Sequence, residues 1–162
     1  MTDMELLTEK VNAIIDFELA TTQQERSKAE QKILDLQSRT SNPAQTAEQM
    51  IRRILFELGV PECLVGYQYI IDAVLMVVDE PKLINRLSGN GLYLRVGSKN
   101  DVTASKAERG IRFVVDRVFM NCDMDILYRY FGNTIDPNRG KATNGEFIAR
   151  MSNVVREQMK RN

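Results

Sequence analysis

From Gly66 to Val78 the chain reads GYQYIIDAVLMVV. Wound as a helix, this run is apolar on nearly every side, and such a helix has to lie at the centre of a bundle. Almost every other segment repeats its apolar residues three or four positions apart, and none alternates convincingly with period two. The expected fold class is therefore all-α. A chain of 162 residues provides one domain of ordinary size plus a small appendage.

The stretch SRTSNPAQT (38–46) reads as a linker with Pro43 as its punctuation, dividing the chain into regions 1–42 and 46–162. Beyond it, Thr46 and Gln49 have capping-box spacing. Ile51, Ile54, Leu55 and Leu58 then make one face of a helix that stops at Gly59, with Pro61 just beyond. Pro81 opens a short helix with Leu83, Ile84 and Leu87 inward, broken by Gly89 and Gly91. A short helix is expected at 92–99 and a well-defined one at about 104–120, whose buried stripe is Ala107, Ile111, Val114, Val118 and Phe119. Met124, Ile126, Leu127, Tyr130 and Phe131 mark a further helix. After a polar loop, Thr143 and Glu146 cap the last one, with Phe147, Ile148, Met151, Val154 and Val155 inward.

Residues 3–38 form either one long amphipathic helix or a helical hairpin. Their stripe is Met4, Leu7, Val11, Ile15, Leu19, Thr22, Ala29, Ile33 and Leu36, and Thr22 with Glu25 has the spacing to start a second helix. A stripe this long needs a surface to lie on. That surface is either a second copy, giving a homodimer through 3–38, or the rest of the chain.

The composition excludes much chemistry. The sequence has no histidine and no tryptophan, so the usual general base and the commonest metal ligand are missing. Two cysteines, Cys63 and Cys122, are too few for a structural zinc site or a disulfide framework, and both are expected in the core. Asp123-x-Asp125 at a helix start reads as a cap rather than a cation site. Gly140-Lys141 with Thr143 lacks the spacing and the preceding strand of a phosphate loop. The expectation is a cytoplasmic protein that is not an enzyme, with no cofactor, no metal, no membrane span and no signal peptide.

Net charge is zero, from 22 basic and 22 acidic residues, but its distribution is uneven. Residues 81–119 carry 8 Lys/Arg against 3 Asp/Glu, and residues 141–162 carry 5 against 2. A basic middle and tail in a neutral chain suit either a solvated face or a local anionic partner. Within the 104–120 helix, Lys106, Arg109 and Arg112 follow one another at i, i+3, a repulsive arrangement that Glu108 and Asp116 relieve in part. After a short helix and a tight turn, this pattern reads as the second helix of a helix-turn-helix. Arg and Lys there donate to guanine edges, and Glu108 can accept from a cytosine amino group.

From about Thr46 onward, ILFELGVP, GYQYIIDAVLMVV, TASKAERGIRFVVDRVF, LYRYFGNT and KATNGEFIA occur in the order of a known family. This part of the chain resembles the C-terminal effector domains of the stage-zero sporulation protein A family, response regulators of endospore-forming Firmicutes. The resemblance implies a six-helix bundle containing a helix-turn-helix, double-stranded DNA as partner, and contact with an RNA polymerase sigma subunit. Lys106, Glu108 and Arg109 match the family's base-reading positions, and Ser105 and Arg112 its phosphate-contacting ones. Arg117, Asn121 and Asp123 fall in the region tied to polymerase.

Compared with the family, a helical segment stands where the receiver domain with its phosphoacceptor is usual. Lys106 replaces an arginine, and Phe113 a polar or basic residue. Leu94, Gly97 and Asn100 replace a proline, an alanine and an aromatic. Gly97 is expected to weaken its helix by ~1 kcal/mol relative to alanine. The function implied is that of a sequence-specific transcriptional regulator. The alternative is an adaptor that keeps the fold and pairs with a full-length regulator or polymerase.

Overall fold

A computed structural model describes residues 3–39 and 43–161, whose regular elements are all helices, with no strand among them. The α-helices are α1 (Asp3–Leu19), α2 (Gln23–Arg39), α3 (Pro43–Glu57), α4 (Val65–Asp79), α5 (Leu92–Lys99), α6 (Ala104–Asn121), α7 (Met124–Phe131) and α8 (Asn144–Arg161). Short 3-10 turns lie at Pro81–Asn85 and Gly132–Thr134. Contacts divide the chain into two compact units, one ending at Gln45 and the other beginning at Thr46. Among the described residues no helix is long and apolar enough to cross a membrane.

The first unit is a helical hairpin, which decides between the two forms open to residues 3–38. Its turn is a capping box. Thr22 Oγ1 accepts from the Glu25 amide at 3.2 Å, and the Glu25 carboxylate accepts from the amides of Thr21 and Thr22, each at 3.1 Å. The Thr22 amide, with that of Thr21, holds the Glu25 carboxyl below its ordinary value. Ala13, Ala20, Ala29 and Leu36 are buried, so the hairpin closes largely on small side chains. Met4, Leu7, Val11, Ile15 and Leu19 of the expected stripe are exposed, as are Ile14 and Leu34.

In the second unit α4 is the central helix, as its all-round apolarity requires. It packs against α5, α6, α8 and the Pro81–Asn85 turn. Ile70, Ile71, Ala73 and Val74 have no exposed surface, and around them close Ile51 and Leu55 from α3, Ile111 and Val114 from α6, and Phe147 and Ile148 from α8. Phe131 of α7 joins this core between Phe119 and Phe147, with ring centroids at 5.4 and 5.1 Å. The α8 start is the expected box: Thr143 Oγ1 accepts from the Glu146 amide at 3.3 Å and the Glu146 carboxylate from the Thr143 amide at 2.8 Å.

Three expectations are corrected. Residues 43–46 belong to α3 rather than to a linker, and Thr46 with Gln49 does not start that helix. Proline is compatible with a first helical position, where its missing N–H has no intrahelical partner to lose, and Pro43 is where α3 begins; residues 40–42 lie outside the described ones. Cys63 is exposed in the turn between α3 and α4 rather than in the core, whereas Cys122, half-buried at the α6 C-cap, packs against the edge of the core. Burial and then the neighbouring Asp123 push the Cys122 thiol up. Gly97 is a site of close approach rather than a mere weakness. A Cβ there would lie 2.6 Å from the Val102 carbonyl oxygen, in the turn that follows α5.

Candidate nucleic-acid interface

The 18 residues of α6 bury one side and expose the other. Ala107, Ile111, Val114, Val115 and Val118 face the core. At the N-terminus Thr103 caps the helix, its side chain accepting from the Lys106 amide at 3.2 Å. A cap of this kind stabilises a helix by about 1 kcal/mol.

Gly110 has a specific reason to be in mid-helix. A Cβ on it would come within 2.8 Å of the Tyr69 ring, and a Cβ on the facing Gly66 would lie 2.1 Å from the Gly110 carbonyl oxygen. The backbones of α4 and α6 therefore meet almost directly. Asn144 supports α6 from another direction, its Nδ2 donating to the Glu108 carbonyl at 3.3 Å. Burial pushes the Tyr93 phenol up, opposed by its hydrogen bond to Asn144.

On the outer side, Ser105, Lys106, Glu108, Arg109 and Arg112 come together with Thr103 around one concave surface. Ser105, Lys106, Arg109 and Arg112 are exposed, and Glu108 is half-buried. Arg112 donates to the Glu108 carboxylate one helical turn before it. Among the described residues neither Lys106 nor Arg109 makes an ion pair. The row of three cations thus divides into two that remain free and one whose guanidinium is oriented by Glu108. Asp116 relieves a different charge, since its carboxylate accepts from Lys141 Nζ at 2.6 Å.

The other named residues mark the corner between α6 and α7. Arg117 and Asn121 are exposed on α6, with Asn121 Nδ2 donating to the Arg117 carbonyl at 3.1 Å. Asp123 caps α7, accepting from the Asp125 amide at 2.8 Å, which is the capping role its position suggested. Beside them Met120, Met124 and Tyr128 are strongly exposed. Residue type alone did not single these three out, because methionine and tyrosine in helical spacing read as core. Phe113 is likewise exposed, next to Lys106, Arg109 and Val65. It lies outside the α6 apolar stripe, at the position where the family has a polar or basic residue.

Comparison with known families gives the class first: a family of DNA-binding regulatory domains, which is not an enzyme family. Residues 51–155 match the model for the sporulation initiation factor Spo0A C-terminal domain, and the chain belongs to that family.

Proposed function

We propose that the chain is a sequence-specific DNA-binding transcriptional regulator acting in the cytoplasm, with α5 and α6 as its helix-turn-helix. α6 enters the major groove, where Lys106 and Arg109 donate to base edges and Glu108 accepts from a base amino group. Ser105 and Arg112 contact phosphates, and the α6 N-terminus adds its exposed amides and dipole. Lys106 is a point charge rather than a fork, so it discriminates less sharply than arginine would. The observation that carries this reading is the outer face of α6, with free cations at Lys106 and Arg109 on a helix locked from behind by Gly66 and Gly110.

The test is binding of the full chain to a duplex at increasing salt. A protein neutralising several phosphates loses affinity linearly on a log–log scale, with a slope of about −0.9 per contact. Absence of duplex binding at low salt would overturn the reading.

A second reading rests on different side chains. The exposed Met4, Leu7, Val11, Ile14, Ile15 and Leu19 of α1 suit a protein partner, and a second copy of the hairpin meets that need. Such a homodimer would bring two α6 helices to neighbouring half-sites. At the α6–α7 corner, Arg117, Asn121 and Asp123, with the exposed Met120 and Met124 beside them, are the proposed contact for an RNA polymerase sigma subunit. If the hairpin and this corner bind protein while α6 binds no duplex, the chain is an adaptor.

A further inference from the structure

Asp72 lies inside α4 and is 1% exposed, between Ile71 and Ala73, which have no exposed surface. A carboxylate in that position persists only where its oxygens are occupied, and three donors occupy them. Lys99 Nζ is 2.7 Å from Oδ1, Gln68 Nε2 donates to Oδ1 at 3.3 Å, and Asn100 Nδ2 donates to Oδ2 at 2.7 Å.

Two of these donors come from one place in the fold. Lys99 is the last residue of α5 and Asn100 is its C-cap. Asn100 also donates from its side chain to the Val96 carbonyl at 2.9 Å. From there the turn is fully specified. Asp101 takes a positive φ of 55°, the Val102 amide donates to the Gly97 carbonyl at 2.9 Å, and Thr103 caps α6. The path from the buried carboxylate to the start of α6 runs through residues 99–103.

We propose that Asp72 is a positioning residue for α6. By holding Lys99 and Asn100 against α4 it fixes the turn between α5 and α6, and with it the first turn of α6, where Ser105 and Lys106 are presented. The inference rests on the reading of α6 as the DNA-binding helix. The body of α6 is already held at Gly110 and by its apolar stripe, so what Asp72 adds is confined to the turn. The pair is also unequal. Lys99 has a side chain 54% exposed and can be solvated when released, whereas that of Asp72 is 2% exposed and cannot. Removing Lys99 therefore strands a buried charge, and neutralising Asp72 at the same time should relieve the damage.

The experiment uses the full chain with Asp72→Asn, Lys99→Met, the double variant, and Val155→Ala as a control for general destabilisation. Amide hydrogen exchange is measured without DNA. Lys99→Met is expected to speed exchange at Asn100, Val102 and Lys106 by roughly 10-fold, with the double variant slower than Lys99→Met alone. The α8 amides should not change. Duplexes selected from a random pool are then compared with unselected ones. Asp72→Asn, which is too buried to touch DNA, should reduce discrimination by roughly 3- to 10-fold while leaving the salt slope intact.

Faster exchange spread evenly over α6 and α8, as with Val155→Ala, would overturn the proposal, as would effects of the two single changes that simply add. Unchanged discrimination in Asp72→Asn would overturn its link to DNA reading. If the wild type binds no duplex, it is the DNA-binding reading that fails, and the exchange pattern alone then decides whether Asp72 holds the turn.

Discussion

The hairpin of α1 and α2 and the bundle of α3–α8 share a secondary structure but use their apolar residues in opposite ways. The bundle encloses its large side chains, with Ile70, Leu83, Ile111, Phe147 and Ile148 fully buried. The hairpin encloses mainly alanines and leaves Met4, Leu7, Val11, Ile14, Ile15 and Leu19 in water. Burying a Leu or Ile side chain stabilises a fold by about 1.5–3 kcal/mol, and an alanine methyl by much less. The bundle thus holds itself together with its apolar residues, while the hairpin keeps most of its own available for another surface.

The largest test of this contrast is truncation. Phe147→Ala in the bundle should cost about 3–5 kcal/mol, whereas Leu7→Ala at low protein concentration should change stability by less than about 0.5 kcal/mol. Urea unfolding followed by circular dichroism measures both, and similar losses would break the comparison. Gly110→Ala comes next. It adds one methyl where Tyr69 already stands, and is expected to cost about 1–3 kcal/mol in the same assay.

A functional contrast follows. Arg109→Ala should weaken binding to a preferred duplex by about 1–3 kcal/mol and relax preference at one base pair, while Arg112→Ala should weaken all duplexes and flatten the salt slope by about one. Neither should alter self-association, whereas Ile14→Asp should abolish it in sedimentation. A wild-type chain that stays monomeric would remove the homodimer and leave the α1 face to another partner.

The smallest effect sets two identical devices side by side. Glu25 and Glu146 both sit in capping boxes that hold their carboxyls below the ordinary 4.5, through the backbone amides of Thr22 and Thr143 in turn, with Arg139 assisting at Glu146. A depressed carboxyl contributes stability above its unfolded pKa, and this is lost as pH falls through the folded one. Acidification below 4.5 should therefore fray both helix starts. α2 should show it more, because α8 is also held by Phe147 and Ile148. Helicity followed by residue-resolved NMR checks this, and Glu25→Gln should remove the effect in α2.

What was legible in the sequence was local. The Thr22–Glu25 and Thr143–Glu146 boxes need only residues three apart, and the apolar run at 66–78 carries its central position in its own composition. Thr46–Gln49 has similar spacing but starts nothing, because α3 had already begun at Pro43. The outer face of α6 was readable from periodicity, as were Lys106, Arg109 and Arg112 upon it. The pairing of Arg112 with Glu108 lay within reach, being one turn apart.

Of the partners of Asp72 only Gln68, one helical turn before it, lay within reach of the sequence. An acidic residue in an apolar run does not announce that two further donors lie 27 and 28 positions on. Gly97 read as a weakness because the Val102 carbonyl that crowds it is placed by the turn and not by helix propensity. Cys63 was misplaced because residue type favours the core, while the turn between α3 and α4 exposes it.

The contact between Gly66 and Gly110 has a consequence for how such a protein can be altered. Two backbones meeting without side chains between them leave no room for one helix to roll or slide on the other. The outer residues of α6 are therefore mounted on a fixed bracket. Exchanging the side chains at 105, 106, 109 and 112 changes what is offered to a ligand without changing where it is offered. Recognition in this molecule is a replaceable part, and new preferences can be written onto α6 while the core beneath it stays as it is.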